Sequence, residues 1–416
     1  MEFSNLPKIL IVSNNIISNT NNNGKTLKSI FSKYPKEKIS QIYFSTEENI
    51  CNDEIVKFNI NEYDIFGSQI KKIIKRNKVT DNLSKRKIKK NTASKIVRES
   101  LWKTKFWNRK KLNIWIENFD PDVVFFMAGD SIFAYDFVKE LVLKKNLKLI
   151  TYITDDYILP RKNETKIQKK LRNVNFKKIK EITQLSSLFL TISPKMSVKY
   201  KEIFNKKSIV VSNISNIISN TKNDTQNIQS ILYAGGIHLG RDKVLYELAK
   251  VIEQYNINNN NNIVLNIYCP NYYSLDIREK LTIENCSYTF DAVSGNELNR
   301  VYNSNDCLLI VESFDDEEIE KTALSLSTKV SEYLSMEKPI LAIGSRKSGS
   351  INYLESTAFI IDDLNIMDDM FSQFISSNHK NRIENGRKLF NKNHNSERIL
   401  EKLYLEFSKL IIDEDI

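Results

Sequence analysis

The sequence predicts an α/β protein made of two Rossmann-like, doubly wound domains. Three observations support this prediction. Short apolar runs alternate with segments of helical apolar spacing from residue 8 to residue 212, and the same alternation resumes at residue 230. Between the two, residues 213–229 are rich in Asn, Ser and Thr and lack a sustained apolar period, which is typical of a linker. Strands that alternate with helices form parallel sheets covered on both faces.

The first domain is expected to span residues 1–212. Lys8 to Ser13 predicts its first strand, residues 14–24 a polar loop and residues 25–33 a helix. The turn signal Asp120-Pro121-Asp122 precedes the next strand. The remaining elements repeat this cycle, with strands over 123–127, 147–154, 188–193 and 208–212 and helices over 133–145 and 194–204.

The second domain is expected to span residues 230–395, and residues 396–416 are expected to form a closing helix. The predicted strands cover 230–234, 263–269, 307–311, 339–343 and 359–361, and the predicted helices cover 243–255, 296–303 and 327–336. The closing helix carries Leu400, Leu403 and Phe407 on one face. Because ligands of doubly wound sheets bind beyond the carboxyl ends of the strands, we expect the two domains to face each other across a ligand-binding cleft.

Composition excludes several classes of protein. Of the 416 residues, 41% are hydrophobic and 27% are charged, which is typical of soluble globular proteins rather than disordered or fibrous ones. Residues 1–17 lack the features of a signal peptide, and no apolar run approaches the roughly 18 residues of a membrane-spanning helix. The cysteines have no Cys-x-x-Cys spacing, which argues against zinc and favours a reducing compartment. We therefore expect a cytoplasmic protein whose membrane contact, if any, is peripheral on the inner face of the plasma membrane.

The segment from Ser325 to Gly344 has the chemistry of a nucleotide diphosphate site. It consists of a polar helix start, an apolar-faced helix, a short turn and a strand. Ser327 and Thr328 can cap the helix and leave backbone N–H groups for an anion, and Lys329 adds a positive charge. Glu332, one turn later, offers two acceptor oxygens to the vicinal hydroxyls of a ribose. A capped surface helix with an exposed Lys and Glu is the alternative that periodicity leaves open.

A glycine turn follows the first strand of the second domain. In the run from Tyr233 to Arg241, Gly235 and Gly236 come directly after the strand. Gly236 lets backbone approach a phosphate closely, and Arg241 can clamp a pyrophosphate with two hydrogen bonds. A tight structural turn is the alternative explanation of the glycines.

Residues 325–344 resemble the donor-binding signature of GT-B glycosyltransferases, especially the family 4-like enzymes of bacterial surface-polysaccharide assembly. The matching runs are Ser327-Thr328-Lys329, Glu332-Tyr333-Leu334 and Lys338-Pro339-Ile340-Leu341, whereas Glu337 stands where the family commonly has Gly. The resemblance implies that Glu332 binds the donor ribose, Lys329 the phosphates and Arg241 the pyrophosphate. It also implies that helix dipoles and basic side chains neutralise the departing diphosphate, with no metal and no other cofactor.

Three carboxylates are candidate catalytic residues. Glu312 ends a strand that resembles the one leading to an acidic residue near the transferred sugar. Asp130 and Asp155 follow predicted strands of the first domain, where a carboxylate can accept the proton of an acceptor hydroxyl. Asp156 is alternatively a cap for the loop that follows it, and the acidic run 315–320 is interpreted as a solvated loop. Many family 4-like enzymes have a histidine at the end of the strand that precedes Asp130, but this sequence has none between Val123 and Asp130. Inverting and retaining mechanisms therefore both stay open.

The loop after the first strand ends in Gly24-Lys25-Thr26, which is similar to the end of a phosphate-binding P-loop. Asn19 occupies the position of the leading glycine, which argues against a P-loop NTPase. In GT-B enzymes the corresponding loop reaches across the cleft toward the donor phosphate and the acceptor, and the resemblance assigns that role to Gly24 and Thr26. A simple helix start is the alternative.

Lys71 to Lys111 form a strongly basic segment. It contains 17 Lys or Arg against Asp81 and Glu99, a charge of +15 that exceeds the +11 of the whole chain. All three tryptophans lie within or just beyond it, namely Trp102, Trp107 and Trp115. Basic residues mixed with aromatic ones suit an anionic membrane surface, and because no nucleic-acid-binding motif is present we expect no nucleic acid partner. The alternative is a solvated basic face with the tryptophans in the core.

Together these features predict a glycosyltransferase that moves a sugar from a nucleotide diphosphate-sugar to a saccharide, lipid-linked acceptor in cell-surface polysaccharide biosynthesis. Two alternatives stay open, a sugar-nucleotide epimerase of the same fold and a catalytically silent partner of an active transferase. The resemblance spans essentially the full chain, but its specific motifs lie in the second domain.

Overall fold

The computed structural model describes residues 5–18, 22–44, 55–60, 96, 98–100, 102–103, 110–215 and 227–412. The chain divides into two compact units: unit 1 comprises Met1–Val210 and Leu400–Ile416, and unit 2 comprises Val211–Ile399. Each unit contains one parallel sheet with helices, so the predicted fold class of two doubly wound domains is confirmed. Most of the predicted linker, residues 216–226, lies outside the described residues.

Unit 1 is built on a seven-stranded sheet in which every strand pair is parallel. Its strands are β1 (Ile9–Ser13), β2 (Ile39–Tyr43), β3 (Val56–Asn59), β4 (Val123–Ala128), β5 (Lys148–Ile153), β6 (Leu188–Thr191) and β7 (Ile209–Val210). Its helices up to residue 210 include α1 (Asn22–Ile30), α2 (Lys110–Phe119), α3 (Ile132–Lys145), α4 (Lys166–Leu185) and α5 (Pro194–Phe204). The order across the sheet is β3-β2-β1-β4-β5-β6-β7.

The central strands of unit 1 explain where its ligand edge lies. β1 and β4 are buried along their whole length, as expected of parallel strands covered by helices on both faces. The strand order reverses between these two strands. Ligands of doubly wound sheets bind at such a reversal, beyond the carboxyl ends of the strands. The residues that follow β1 and β4 are therefore the ones positioned for a ligand.

Unit 2 repeats this arrangement with a six-stranded parallel sheet. Its strands are β8 (Ser230–Ala234), β9 (Val264–Cys269), β10 (Ser287–Asp291), β11 (Cys307–Val311), β12 (Ile340–Ile343) and β13 (Phe359–Ile361). Its helices are α6 (Arg241–Asn259), α7 (Leu275–Lys280), α8 (Gly295–Ser304), α9 (Asp316–Thr322), α10 (Thr328–Ser335), α11 (Gly349–Tyr353), α12 (Met367–Ser376) and α13 (Lys380–Asn393). The order is β10-β9-β8-β11-β12-β13, with the reversal between β8 and β11.

Several elements differ from the sequence prediction, which has no counterpart for the helices α2, α7, α11, α12 and α13 or for the strands β2, β3 and β10. The interpretation of residues 315–320 as a loop is wrong, because α9 begins at Asp316 and places its acidic residues in the first turn, where the helix dipole favours negative charge. The 20 residues of α4 have no predicted counterpart. Its first turns expose Ile167 together with several lysines, so the sequence shows no apolar stripe there.

The predicted closing helix is present as α14 (Ser396–Ile412), which begins in unit 2 and passes into unit 1. Its apolar face is buried in unit 1. The ring centroids of Phe407 and Phe125 are 6.1 Å apart, and the Tyr404 hydroxyl donates to the carbonyl of Ile30 at 2.7 Å. None of the helices that the structure describes is long and apolar enough to cross a membrane.

His394 joins the first and last segments of unit 2. Its Nδ1 donates to the carbonyl of Asn213 at 2.7 Å, and its Nε2 accepts from the Tyr353 hydroxyl at 2.9 Å. Beside this contact, Ser215 and Asn395 form a parallel bridge. The chain therefore enters and leaves unit 2 side by side.

Candidate functional site

A predicted donor-site turn and a predicted catalytic residue meet at the carboxyl edge of the unit 2 sheet. Gly235 and Gly236 follow β8, and Glu312 follows β11. β8 and β11 are neighbours at the reversal of strand order. The topology therefore places these residues where doubly wound sheets bind ligands.

Lys329, the second residue of α10, lies against the glycine turn. A Cβ atom at Gly235 would be 2.1 Å from Lys329 Cε and 2.2 Å from its Nζ, so this position must be glycine for the lysine to fit. The Nζ atom is 4.8 Å from the centre of the Tyr233 ring. Within the described residues, no acceptor lies within hydrogen-bond distance of this amine. A partly buried amine without an acceptor suits an anionic ligand.

A buried ion pair sets the electrostatic surroundings of Lys329. Arg241, the first residue of α6, donates from Nη2 to Glu312 Oε2 at 2.8 Å and from Nε to the carbonyl of Val311 at 3.0 Å. Burial, and then the positive charge of Arg241, lower the pKa of Lys329 to about 8, while Glu312 and Glu332 partly oppose this shift. An anion bound here would favour the charged amine again.

Glu332 is held by a tyrosine from another helix. The Tyr302 hydroxyl, on α8, donates to Glu332 Oε2 at 2.5 Å. The motif around Glu332 gives no sign of this contact, because Tyr302 lies 30 residues earlier in the chain. The structure thus brings together a predicted site residue and a partner that the sequence does not identify.

The turn between α10 and β12 has the backbone expected where the resembling family has glycine. Glu337 has a φ of 52°, in the left-handed region that favours glycine. The adjacent Lys338 is buried, and its Nζ donates to the carbonyl of Asn303 at 2.7 Å and to that of Asn305. These contacts keep the turn in place without the glycine.

The start of α10 differs from the predicted cap. Ser327 is the N-cap residue, but its side chain makes no capping hydrogen bond. Its backbone N–H instead donates to the Ser350 hydroxyl at 3.0 Å, and Thr328 begins the helix. The positive end of the helix dipole is therefore not capped by Ser327, which leaves it suited to an anion.

Gly236 lies under the side chain of His238. A Cβ atom at Gly236 would be 2.7 Å from the His238 ring and 3.1 Å from the Tyr273 hydroxyl. That hydroxyl accepts the N–H of Ile237 at 3.1 Å and lies 2.9 Å from His238 Nδ1. A tight structural turn explains this glycine, and close approach to a phosphate stays a prediction.

Asp130 and Asp155 lie on neighbouring strand ends of unit 1. β4 and β5 pair with Ala128 opposite Ile153, and each aspartate follows two residues later. Burial, then Asp155 and then Asp130 raise the pKa of the Tyr157 phenol, whose hydroxyl donates to Asp155 Oδ2 at 3.3 Å. The structure therefore brings two predicted carboxylates together around one tyrosine.

Asp156 has a structural role. It is buried and accepts the N–H groups of Ile158 and Leu159 at 3.2 and 3.3 Å. It also accepts from the Tyr200 hydroxyl at 3.0 Å and from Arg161 at 2.9 Å. These donors make Asp156 the cap of the following loop, which is the alternative interpretation given above.

The prediction that Gly24 lies in a loop is wrong, whereas Thr26 lies in a helix as predicted. α1 begins at Asn22, so both residues lie in its first two turns. Asparagine is itself favourable at a helix start, and the helix carries apolar side chains into the core. The residue that does follow β1 is Asn14. A Cβ atom at Gly129 would lie 2.6 Å from Asn14 Nδ2, so the two residues are in close contact. Asn14 Oδ1 is buried and has no hydrogen-bond partner among the described residues.

Most of the basic segment 71–111, including Trp107, lies outside the described residues. Trp102 is buried and stacks on Phe133 with ring centroids 3.9 Å apart. Glu99 accepts the first two N–H groups of α3 at 2.8 and 2.9 Å. Trp102 and Glu99 thus stabilise unit 1, and membrane contact by the rest of the segment stays a prediction. In the described ranges, no group of three or more His, Cys, Asp or Glu side chains is placed to hold a metal ion.

The sequence matches no family model and no curated protein. Solved structures do match it. A glycosyltransferase from Rickettsia africae superimposes with a TM-score of 0.58 at 13% identity, over 97% of this chain and 98% of that one. A TarM variant from S. aureus, in complex with fondaparinux, α-GlcNAc-glycerol and UDP, superimposes with a TM-score of 0.60 at 13% identity, over 97% and 100%. A UDP-forming trehalose-phosphate synthase from Burkholderia xenovorans, in complex with glucose-6-phosphate, gives 0.62 at 10% identity, over 96% and 100%.

The chain has the GT-B fold. The superpositions cover nearly the whole chain, so both units of the GT-B architecture are present. Because the identities are low, the likeness establishes the fold, and membership of family 4 stays a prediction. In this GT-B chain, the residues gathered around Lys329 belong to the C-terminal sheet unit, and the aspartates around Tyr157 belong to the N-terminal one.

Proposed function

We propose that this GT-B protein is a glycosyltransferase that takes a sugar from a nucleotide diphosphate-sugar and transfers it to a saccharide acceptor. The observation that carries the proposal is the environment of Lys329. Lys329 lies at the start of α10, and its amine is partly desolvated and has no acceptor among the described residues. The positive charge of Arg241 is close to this amine. A diphosphate supplies the negative charge that such a site lacks.

Unit 2 supplies the donor-binding groups. Glu332 accepts the ribose hydroxyls, while Lys329 and the start of α10 bind the diphosphate. In the reaction, the bond between the anomeric carbon and the diphosphate oxygen breaks, and its electron pair stays on the diphosphate. Lys329, Arg241 and the helix dipole stabilise the charge that develops there.

Unit 1 supplies the proton acceptor. The acceptor hydroxyl oxygen bonds to the anomeric carbon, and its proton passes to the carboxylate pair Asp130 and Asp155. Glu312, the third catalytic candidate from the sequence, is ion-paired with Arg241 and has a side chain only 3% exposed. We assign Glu312 to holding that arginine rather than to proton transfer.

We further propose that the acceptor is lipid-linked, that it belongs to cell-surface polysaccharide assembly, and that the protein reaches it at an anionic membrane surface. A second basic region, besides the segment 71–111, supports membrane binding, because residues 139–207 contain 18 Lys or Arg against 6 Asp or Glu. Five exposed lysines lie on one face of α4, namely Lys166, Lys169, Lys170, Lys177 and Lys180. Each lysine near an anionic lipid surface contributes about 1 kcal/mol.

Cosedimentation with lipid vesicles tests the membrane step. Vesicles with anionic lipid should bind the protein and neutral vesicles should not, and changing the five α4 lysines to glutamate should weaken binding. Equal binding to both kinds of vesicle, or no binding, would count against a membrane-bound acceptor without touching the donor site.

Thermal-shift binding of UDP, GDP, dTDP and CDP tests the transferase proposal. UDP comes first because one compared structure holds UDP and another is of a UDP-forming enzyme. One nucleotide should raise the melting temperature of the wild type and not that of Lys329→Ala. Lys243→Ala is the matched control, because this lysine is exposed and pairs with Asp315 at the surface.

No shift with any nucleotide would contradict the donor site and favour a silent partner. Once the nucleotide is known, release of free nucleoside diphosphate from the matching nucleotide-sugar should require a saccharide acceptor. Conversion of the nucleotide-sugar without any acceptor would instead identify an epimerase.

A further inference from the structure

We propose that Tyr302 is a positioning residue that makes the donor site select ribose over 2′-deoxyribose, by fixing one oxygen of Glu332. The inference rests on the proposed function, since it concerns the same nucleotide site. It adds a residue that lies outside the sequence motif.

The hydroxyl of Tyr302 is a short and permanent donor to Glu332. It donates to Oε2 at 2.5 Å, the length of a charge-assisted O–H···O bond. Tyr302 is only 1% exposed, and its ring meets that of Tyr333 edge to face with centroids 5.5 Å apart. Burial, and then the charge of Glu332, raise the pKa of the Tyr302 phenol well above its ordinary value. The phenol therefore keeps its proton, and the packed ring keeps its direction.

The two helices that carry this pair are tied together at a second point. Lys338, just after α10, donates to the carbonyl of Asn303 at 2.7 Å and to that of Asn305, at the end of α8. Lys338 is itself 3% exposed, so this contact is as protected from water as Tyr302. The position of Glu332 relative to Tyr302 is consequently fixed from both sides.

Fixing Oε2 leaves Oε1 of Glu332 as the atom available to a ligand. Within the described residues, the Tyr302 hydroxyl is the hydrogen-bond partner of this carboxylate, and Glu332 is partly exposed. Oε1 has two lone-pair sites, and because the carboxylate is held in one orientation it accepts the two vicinal ribose hydroxyls at defined angles. A 2′-deoxyribose offers one donor fewer, and a site built to bind a hydroxyl disfavours the analogue that lacks it.

Isothermal titration with a ribonucleoside diphosphate and its 2′-deoxy form tests the inference. The pair is chosen from UDP and GDP by whichever binds the wild type. We expect the wild type to prefer the ribonucleotide about tenfold or more, and Tyr302→Phe to lose most of that preference. Glu332→Gln should lose it as well, and adding Tyr302→Phe to Glu332→Gln should cause little further loss.

Two controls separate positioning from damage to the fold. Inorganic pyrophosphate should bind Tyr302→Phe as well as it binds the wild type, because the diphosphate groups are untouched. Tyr200→Phe removes a comparable buried hydrogen bond to Asp156, of 3.0 Å in unit 1, and should leave the selectivity unchanged.

An unchanged ribose preference in Tyr302→Phe would overturn the inference while leaving the proposed donor site standing. Equal weakening of ribonucleotide, deoxyribonucleotide and pyrophosphate would also overturn it, because that pattern reports a general structural loss. A wild type that binds dTDP but none of the ribonucleotides would overturn the inference alone, and a wild type that binds none of UDP, GDP, CDP and dTDP would overturn both the inference and the proposed function.

Discussion

Replacing Lys329 with methionine is expected to stabilise the free protein and to abolish nucleotide binding. The folded protein holds this amine at a pKa of about 8 because burial and Arg241 disfavour its charge. The unfolded chain returns it to an ordinary lysine pKa of about 10.4, a difference of roughly 2.5 units or about 3 kcal/mol. Below pH 8 the charged amine therefore lowers the free energy of unfolding by up to about 3 kcal/mol, and this penalty fades as the pH rises from about 8 to about 10.4.

Urea unfolding at neutral and at alkaline pH measures this effect. At neutral pH, Lys329→Met should have the larger free energy of unfolding, and its advantage over the wild type should shrink as the pH passes 8 and rises further. Lys243→Met is the matched control, because Lys243 is exposed and its replacement should not give a gain in the free energy of unfolding that shrinks above pH 8. A methionine variant that is less stable than the wild type at neutral pH would refute the argument.

The pH dependence of nucleotide affinity should also reveal the lowered pKa of Lys329. A bound diphosphate favours the charged lysine, so binding above pH 8 takes up a proton and the affinity falls by up to about tenfold for each pH unit. Titration calorimetry in buffers of different ionisation enthalpy measures that uptake. Lys329→Arg keeps its charge throughout and should bind with little pH dependence over the same range. A wild-type affinity that stays flat above pH 8 would contradict the role of Lys329.

Three further predictions concern stability and use urea unfolding. Burial lowers the pKa of His394 to about 4. The free energy of unfolding should therefore fall as the pH drops from about 6.5 toward 4, by up to about 3 kcal/mol. His394→Gln should remove this part of the decline, and an identical decline in the variant would contradict the role of His394. Glu337→Gly should raise the free energy of unfolding by about 1 kcal/mol because φ is 52°, whereas Glu337→Val should lower it. Glu99→Gln should lower the free energy of unfolding by about 1 kcal/mol, because it removes the negative charge at the start of α3. An unchanged free energy of unfolding would contradict the stabilising role of Glu99.

Much of the fold follows from the sequence because its central strands are buried on both faces. Such strands appear as continuous apolar runs, and those at residues 230–234, 307–311 and 359–361 have the same bounds in sequence and structure. α4 escapes prediction because its first turns are exposed and show no apolar stripe, although the capping box of Thr165 and Gln168 is a local signal for its start. The start of α1 at Asn22 differs by three residues from the prediction, and that shift moves Gly24 from a loop into a helix.

The sequence identifies only part of the candidate site. Lys329 and Glu332 stand in one continuous motif, so the sequence identifies them directly. Their partners come from elsewhere in the chain, since Arg241 and Glu312 are 71 residues apart and meet only because β8 and β11 are adjacent. The sequence also leaves Lys329 open as an exposed surface lysine. The fold decides this point, because the side chain lies in the space that Gly235 leaves empty.

The path of α14 determines when unit 1 can be completed during synthesis. The strands of unit 1 are made first, but Phe407, which packs near Phe125, and Tyr404, which bonds to Ile30, leave the ribosome only after all of unit 2. Unit 2 is thus able to fold cotranslationally as a continuous segment, whereas unit 1 must wait with part of its aromatic core open. A circular permutant that begins at Leu400 and joins this helix to β1 would make unit 1 a continuous segment and reverse the order in which the two units mature.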